Sequence, residues 1–270
     1  MCIVAIAWQL FDELPLVLLS NRDEFLERPT RELHQWSDQP IYAGRDNQSG
    51  GTWLGIHQEA HDGVYQQNGR WAAILNFRDG VQAGRDERSR GELVTEFLTS
   101  ALSPMDFARN IRLQDYAGFN LIIGDATQAV IVNNRGHAPT PLYAGLHVIS
   151  NGQPEDSWFK TERLRGRLRQ EVLPLIAENN SPEYWQQAAF DVLSDTVQAP
   201  KEHLPHTGVA VEIEHVLSSV YIKPVAFGNG AKDVPTYGTR TQSIVTLTKN
   251  SETSTTVIAE ITSRECAYSS

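Results

Sequence analysis

Met1-Cys2-Ile3-Val4-Ala5-Ile6-Ala7-Trp8, followed after a polar break by Leu16-Val17-Leu18-Leu19-Ser20-Asn21-Arg22-Asp23-Glu24, is the stretch that decides the fold. The first run is apolar without alternation, the pattern of a strand covered on both faces. Phe11-Asp12-Glu13-Leu14-Pro15 supplies a turn, and the second run returns as the other arm of a hairpin. A turn centred near Asp12 and Glu13 sets Cys2 opposite either Arg22 or Asp23, with cross-strand Cβ atoms on the order of 5 Å apart. Register matters, because a slip of one residue turns every side chain to the other face.

A cysteine directly after Met1 carries specific chemistry. If an aminopeptidase removes Met1, as a small second residue permits, Cys2 bears a thiol of pKa about 8.5 and an α-amine of pKa about 8. Nucleophile and general base then share one residue. Arg22 nearby favours the thiolate, and a carboxylate such as Asp23 can orient the amine or the thiol. A plain buried cysteine beside a solvated charged turn fits this strand as well. Adjacent strand residues face opposite ways, so Arg22 and Asp23 cannot both lean on the thiol unless the strand ends or bulges there.

A chain of 270 residues with 40% hydrophobic content can bury a sizeable core, and no linker interrupts it, so one domain over residues 1–270 is expected. Lys and Arg number 23 against 33 Asp and Glu, and the net charge of −10 argues against nucleic acid and anionic membranes as partners. Cys2 and Cys266 are too few for a disulfide framework, and Met1 to Trp8 lacks the basic leader of a signal peptide. A cytoplasmic protein is expected. No apolar run approaches the ~20 residues that span a bilayer, so an integral membrane protein is not expected.

Further along, residues 28–51 read as a polar, irregular loop broken by Pro29, Pro40, Gly44, Gly50 and Gly51, long enough to wall a pocket over Cys2. Residues 52–57 and 71–77 read as strands around the polar stretch 58–70. Residues 89–99 show a helical stripe of Leu93, Val94, Phe97 and Leu98, and Ser103-Pro104-Met105-Asp106 opens another helix with a cap and a first-turn proline. Strands follow at 119–123, 130–132 and 146–150, helices at 158–172 and 184–193, and strands again at 216–222, 239–248 and 256–261. Strands, helices and strands joined by short connections predict an α+β fold with antiparallel sheets stacked between helices. Lys160, Arg163, Arg165, Arg167 and Arg169 form a basic run on a predicted helix, either a solvated face or a seat for an anionic group. His57, His61 and Asp62 have metal spacing only on a helix, which Gly55 and Gly63 oppose, so no metal is assigned. No Cys-x-x-Cys-His motif and no glycine-rich phosphate loop is present.

Cys2, Asn21-Arg22-Asp23-Glu24, Gly51-Thr52-Trp53-Leu54-Gly55, Ala117-Gly118-Phe119-Asn120-Leu121, Ser150-Asn151 and Tyr237-Gly238-Thr239-Arg240-Thr241 together resemble the NRDE family, also called the transport and Golgi organisation protein family. Each block is short, but their order over most of the chain is specific. The resemblance implies an N-terminal-nucleophile (Ntn) hydrolase fold, a four-layer αββα sandwich, with distant similarity to choloylglycine hydrolases and penicillin V acylases. Carried over by position, that pattern implies Asn76 as an oxyanion-hole donor, Asn151 as a second asparagine near Cys2, and Arg240 as an electrostatic brace. Those hydrolases place their aspartate three residues beyond the arginine, where this chain has Phe25. Either the acid is supplied differently, by Asp23 for example, or the hydrolytic machinery is incomplete. Two functions follow: hydrolysis of a linear amide or thioester of a small acyl substrate by Cys2, with no cofactor required, or non-catalytic carriage of haem or an acyl-coenzyme A.

Overall fold

Strands β1 (Ile3–Trp8) and β2 (Leu16–Phe25) form the expected hairpin, pairing Ile3 with Asn21 and Trp8 with Leu16. Extending that register by one residue sets Cys2 across from Arg22 rather than Asp23. No side chain of β1 is more than 2% exposed, so the unbroken apolar run does mark a strand covered on both faces. This is a computed structural model, and it describes residues 2–61, 64–66, 68–81, 84, 86–227, 234–249 and 257–266.

Strands β3 (Thr30–Gln35), β4 (Ile41–Asp46), β5 (Leu54–His57), β6 (Glu59–His61), β7 (Val64–Gln66) and β8 (Trp71–Asn76) follow the hairpin. Helices α1 (Gly91–Thr99) and α2 (Pro104–Asn110) precede β9 (Phe119–Gly124), β10 (Ala129–Asn133), β11 (Thr140–Pro141) and β12 (Gly145–Ile149). Helices α3 (Phe159–Arg167), α4 (Leu173–Ala177), α5 (Pro182–Leu193) and α6 (Val211–Val216) lead to β13 (Val225–Ala226), β14 (Thr236–Lys249) and β15 (Val257–Glu265). The first sheet runs β12-β1-β2-β14-β13, with β15 also on β14; the second runs β11-β10-β9-β8-β5-β4-β3; β6 and β7 pair separately. Every pairing in the two large sheets is antiparallel.

Alternation then assigns the faces. Val4, Ile6, Leu16 and Leu18 pack against Leu54, Ile56, Trp71 and Ile122 between the sheets. Ala5, Val17 and Leu19 point the other way, onto Leu164, Leu168 and Phe190 of the α3–α5 region. Ala72, Ile74 and Leu121 meet Leu93, Phe97 and Phe107 from α1 and α2 on the far side of the second sheet. Each such fully buried aliphatic side chain contributes about 1.5–3 kcal/mol. The fold is thus mixed α+β with two antiparallel sheets, and Ser103 caps α2 as expected, its hydroxyl accepting from the Asp106 N–H at 3.1 Å.

Several expectations need correction. The stretch 28–51 is not irregular: it holds β3 and β4, the edge of the second sheet. Its breakers lie at Pro29, at the Pro40 turn and after β4, while Gly44, inside β4, makes room for an indole, since a Cβ there would lie 2.4 Å from the Trp53 ring. Residues 58–70 carry the small β6–β7 hairpin. Residues 216–222 are not a strand. Val216 ends α6, and the hydroxyls of Ser218 and Ser219 bond to the nearby carbonyls of His215 and Tyr221, which fixes a turn. Thr256, Asp62 and Gly63 lie outside the described residues. Among the described residues no helix is long and apolar enough to cross a membrane.

Candidate active site

The inner face of β2 changes character along its length, from Leu16 and Leu18 through Ser20 to Arg22. At that end the sheets enclose a cavity of about 400 Å³ lined by Cys2, Arg22, Asp23, Glu24, Arg28, Asp46, Trp53, Asn76 and Arg90, among others. Cys2 is 9% exposed. Burial raises its thiol pKa and the charge of Asp23 adds to that, whereas a hydrogen bond from the Asp23 backbone N–H and the charge of Arg22 act in the opposite sense. Arg22 is held tightly. Its Nη1 donates to Thr30 Oγ1 at 3.2 Å, its Nη2 lies 3.7 Å from Asp46 and 3.9 Å from Glu24, and its guanidinium stacks 4.1 Å above the Trp53 ring. Arg28 closes the group by donating from Nε to Asp46 Oδ2 at 2.6 Å.

Asp23 faces the other side of the sheet. Thr239 Oγ1 donates to its Oδ1 at 2.7 Å, and Tyr237 OH donates to its backbone oxygen at 2.9 Å. A bulge in β14 makes this contact. Thr241 pairs with Arg22 and Thr239 with Asp23, leaving Arg240 as the extra residue, so Thr239 turns to the Asp23 face. Burial raises the Asp23 carboxyl to about 6, against the lowering influence of Lys160 and the Thr239 bond. Lys160 is 2% exposed and donates from Nζ to Asn151 Oδ1 at 3.2 Å. Burial and neighbouring Arg78 lower its ammonium to about 8, with Asp23 and Cys2 opposing. Arg78 is paired in turn with buried Glu214 at 3.0 Å and lies 4.7 Å over the Trp158 ring.

The neighbours of β1 complete the surroundings. Val4 pairs with Ile149, which brings the following Ser150 and Asn151 beside Cys2, and Ser150 Oγ donates to the Cys2 carbonyl at 3.0 Å. Asn151 is fully buried and donates to the Asn76 carbonyl at 2.8 Å, tying the first sheet to β8 of the second. The side-chain amide of Asn76 makes no hydrogen bond among the described residues and lines the cavity. Asn120 secures the turn after β12 by donating to the carbonyls of Ser150 at 3.1 Å and Gly152 at 2.7 Å.

Of the residues singled out in the sequence, Cys2, Arg22 and Asn76 line one cavity, and Asp23 belongs to the same lining although its carboxylate is bonded to Thr239 on the other face of the sheet. Asn151 sits behind its wall. Arg240 is not in its lining; its Nη1 donates to the carbonyls of Leu26 and Arg28, so it braces the segment after β2. Of the five residues in the basic run, Arg169 alone is exposed without an ion pair among the described residues. Lys160 points inward, Arg163 and Arg167 bind Asp195, Arg167 also binds Glu171, and Arg165 binds Glu162. Sequence reasoning passed over Lys160, Arg78, Glu214 and Asn120 as site-forming residues. The signal for Lys160 was its four-residue spacing from Leu164 and Leu168, which puts it on the buried stripe. For Asn120 it was an amide inside the apolar run Phe119-Asn120-Leu121-Ile122, where a buried polar group needs partners.

Fold and site together define an α+β protein of two antiparallel sheets that offers its second residue, a cysteine, to an arginine-rich cavity. The chain belongs to the Transport and Golgi organisation 2 family, whose model matches residues 1–261. It is 30% identical over 244 residues to the Transport and Golgi organization protein 2 homologs of Bos taurus and of Homo sapiens, covering 85% of this chain and 81% of each relative. A Saccharomyces cerevisiae protein is 26% identical over 289 residues, covering 93% of this chain and 89% of its own. Among solved structures, the Caenorhabditis elegans ortholog of N-acylethanolamine-hydrolyzing acid amidase aligns over 72% of this chain and 86% of its own, with 11% identity and a TM-score of 0.42. A conjugated bile acid hydrolase of Clostridium perfringens aligns over 100% and 97%, with 12% identity and a TM-score of 0.34. Scores this low carry no weight for the chemistry of the site.

Proposed function

We propose that this protein is an N-terminal-nucleophile hydrolase in which Cys2 cleaves a linear amide, or a thioester, of a small acyl compound. The observation that carries this is the seating of Cys2: it shares one cavity with Arg22 and Asn76, and its own carbonyl is held by the Ser150 hydroxyl at 3.0 Å. A thiol that burial keeps protonated needs an adjacent base, and removal of Met1 provides one in the Cys2 α-amine. The amine takes the thiol proton as Sγ attacks the carbonyl carbon, and the oxygen, now negative, accepts from the Asn76 amide. The C–N bond breaks and the leaving amine departs with that proton. Water then adds to the thioester, releasing the carboxylic acid and restoring the thiol. Arg22 supports negative charge at sulfur, and Asp23 ties β2 to β14 through Thr239 and Tyr237. The four-layer Ntn arrangement is the architecture this mechanism uses.

Carriage of haem or an acyl-coenzyme A is the other reading. It keeps the cavity but loses most of the basic helix as a docking face, because Arg163, Arg165 and Arg167 are paired within the chain. The deciding experiment combines intact-mass measurement of protein made in cells, a panel of acyl amides and thioesters, and a haem titration. Loss of Met1, with turnover that falls at least ~10³-fold in Cys2→Ala while ligand binding persists, supports the hydrolase. Retained Met1, or tight haem binding with no turnover by the wild type, sinks it.

A further inference from the structure

Four arginines line the cavity, and three of them are committed. Arg22 and Arg28 lie among Glu24 and Asp46, while Arg88 binds Glu92 and Glu96 on α1. Arg90 differs. Among the described residues it makes no ion pair, and its guanidinium makes a single hydrogen bond, from Nη1 to the Gly118 carbonyl at 3.1 Å. Four of its five N–H donors are therefore left for something else.

The backbone around Arg90 is fixed. It is the residue before α1, and residues 51–52 press directly on Gly91: a Cβ on Gly51 would lie 2.6 Å from the Gly91 carbonyl carbon, and one on Gly91 would lie 3.0 Å from the Thr52 oxygen. Only glycines permit that approach. The arginine is thus held in the same wall as Trp53, which follows Thr52. Burial lowers the proton affinity of Arg90, while a Cys2 thiolate and the carboxylates of Glu24 and Glu87 act in the opposite sense from beyond ion-pair distance. A partly desolvated cation with no carboxylate in ion-pair contact among the described residues, facing the cavity of a nucleophile, suits an anionic ligand group.

We propose that Arg90 is the anion-recognition residue of this cavity, so that the acyl compound attacked by Cys2 carries a carboxylate. The proposal rests on the reading of Cys2 as the nucleophile. Trp53 and Ile74 provide the apolar wall for a short chain, Cys2 takes its reacting carbonyl, and Arg90 pairs with its carboxylate as a fork.

The test needs no knowledge of the natural substrate. Cys2 is alkylated with iodoacetate, which is anionic, and with iodoacetamide, its neutral analogue, at alkaline pH, and the rates are read at the N-terminal peptide by mass spectrometry so that Cys266 does not contribute. The ratio of the two rates is compared among the wild type, Arg90→Gln, Arg90→Lys and Arg169→Gln, the last removing the same charge from an exposed site outside the cavity. The ratio should fall about fivefold in Arg90→Gln, the scale of one partly solvated ion pair, fall less in Arg90→Lys and stay constant in Arg169→Gln. An unchanged ratio in Arg90→Gln, or an equal fall in Arg169→Gln, overturns the proposal. Binding of hexanoate against hexanamide to the same proteins decides the matter if Cys2 resists both reagents. Preference for hexanoate that disappears in Arg90→Gln supports the anion site, whereas equal binding, or none, overturns it. An Arg90-dependent ratio without turnover of any acyl amide removes the hydrolase reading alone; turnover indifferent to Arg90 and to substrate charge removes only the anion site.

Discussion

The two faces of the first sheet, compared at the level of Cys2, differ in the way they hold charge. On the cavity face Arg22 has Glu24 and Asp46 at 3.7–3.9 Å, an indole beneath it and open volume beside it. On the helix face Asp23, Lys160, Arg78 and Glu214 are all buried, and each is committed to neighbouring groups. One peptide unit separates the two environments. Strand alternation splits Asn21-Arg22-Asp23-Glu24 into a pair that faces the cavity, Arg22 and Glu24, and a pair that secures the sheet from behind. Asn21 belongs to the second pair, donating to the carbonyls of Leu193 and Val220 at 2.8 Å each. A block that reads as one charged cluster is therefore half site and half support.

The sharpest way to break that contrast is to remove a charge from each face. Glu214→Ala leaves Arg78 buried without its ion pair and should cost about 3–5 kcal/mol in urea denaturation, against about 1–2 kcal/mol for Asp46→Asn, where Arg22 still has Glu24 and the amide oxygen can still accept from the Gln48 and Ser49 N–H groups. Equal losses would mean that the faces do not differ in solvation. Next in size, Asn21→Ala strands two buried carbonyls and should destabilise by about 2–3 kcal/mol, with no direct change in the cavity lining. Iodoacetamide reactivity of Cys2 that collapsed in folded Asn21→Ala would deny that its role is support.

Proton linkage gives a smaller, signed effect. Asp23, raised to about 6, contributes stability that is present below its ordinary value of 3.8 and is lost as pH rises through about 6. Lys160, lowered to about 8, contributes stability that is present above 10.5 and is lost as pH falls through about 8. In Lys160→Met the alkaline gain should vanish, and the Asp23 carboxyl, no longer next to an ammonium, should titrate above 6. Carboxyl NMR and denaturation across pH read both, and a titration left in place would uncouple Lys160 from Asp23. Smallest of all, Arg163→Gln on the partly exposed face of α3 should change stability by only ~0.5–1 kcal/mol, because Arg167 still holds Asp195.

Much of the site was legible because strand pairing is a local matter. The unbroken apolar run after Cys2, the Asp12-Glu13 turn and the return strand place Cys2 opposite Arg22 to within one residue, and period-two alternation already forbids Arg22 and Asp23 from sharing a face. The polar edge strand β3 was hidden because one-sided pairing tolerates Arg31, Glu32 and His34, leaving no apolar periodicity to read, and β4 beside it was masked by Gly44 and Arg45 within the strand. Residues 216–222 misled in the opposite sense, apolar enough for a strand but held in a turn by serine hydroxyls. The residue pattern therefore carried the hairpin, the Ser103 cap of α2 and the candidate nucleophile. Three features depended on tertiary contacts between segments far apart in the chain. The bulge at Arg240 turns Thr239 towards Asp23, the packing of α3 buries Lys160 behind the cysteine, and the approach of residues 51–52 to Gly91 holds Arg90 in the cavity wall with no carboxylate in ion-pair contact among the described residues. A sequence records which charges exist, whereas the partner each one finds, or lacks, depends on which distant segments the core brings together.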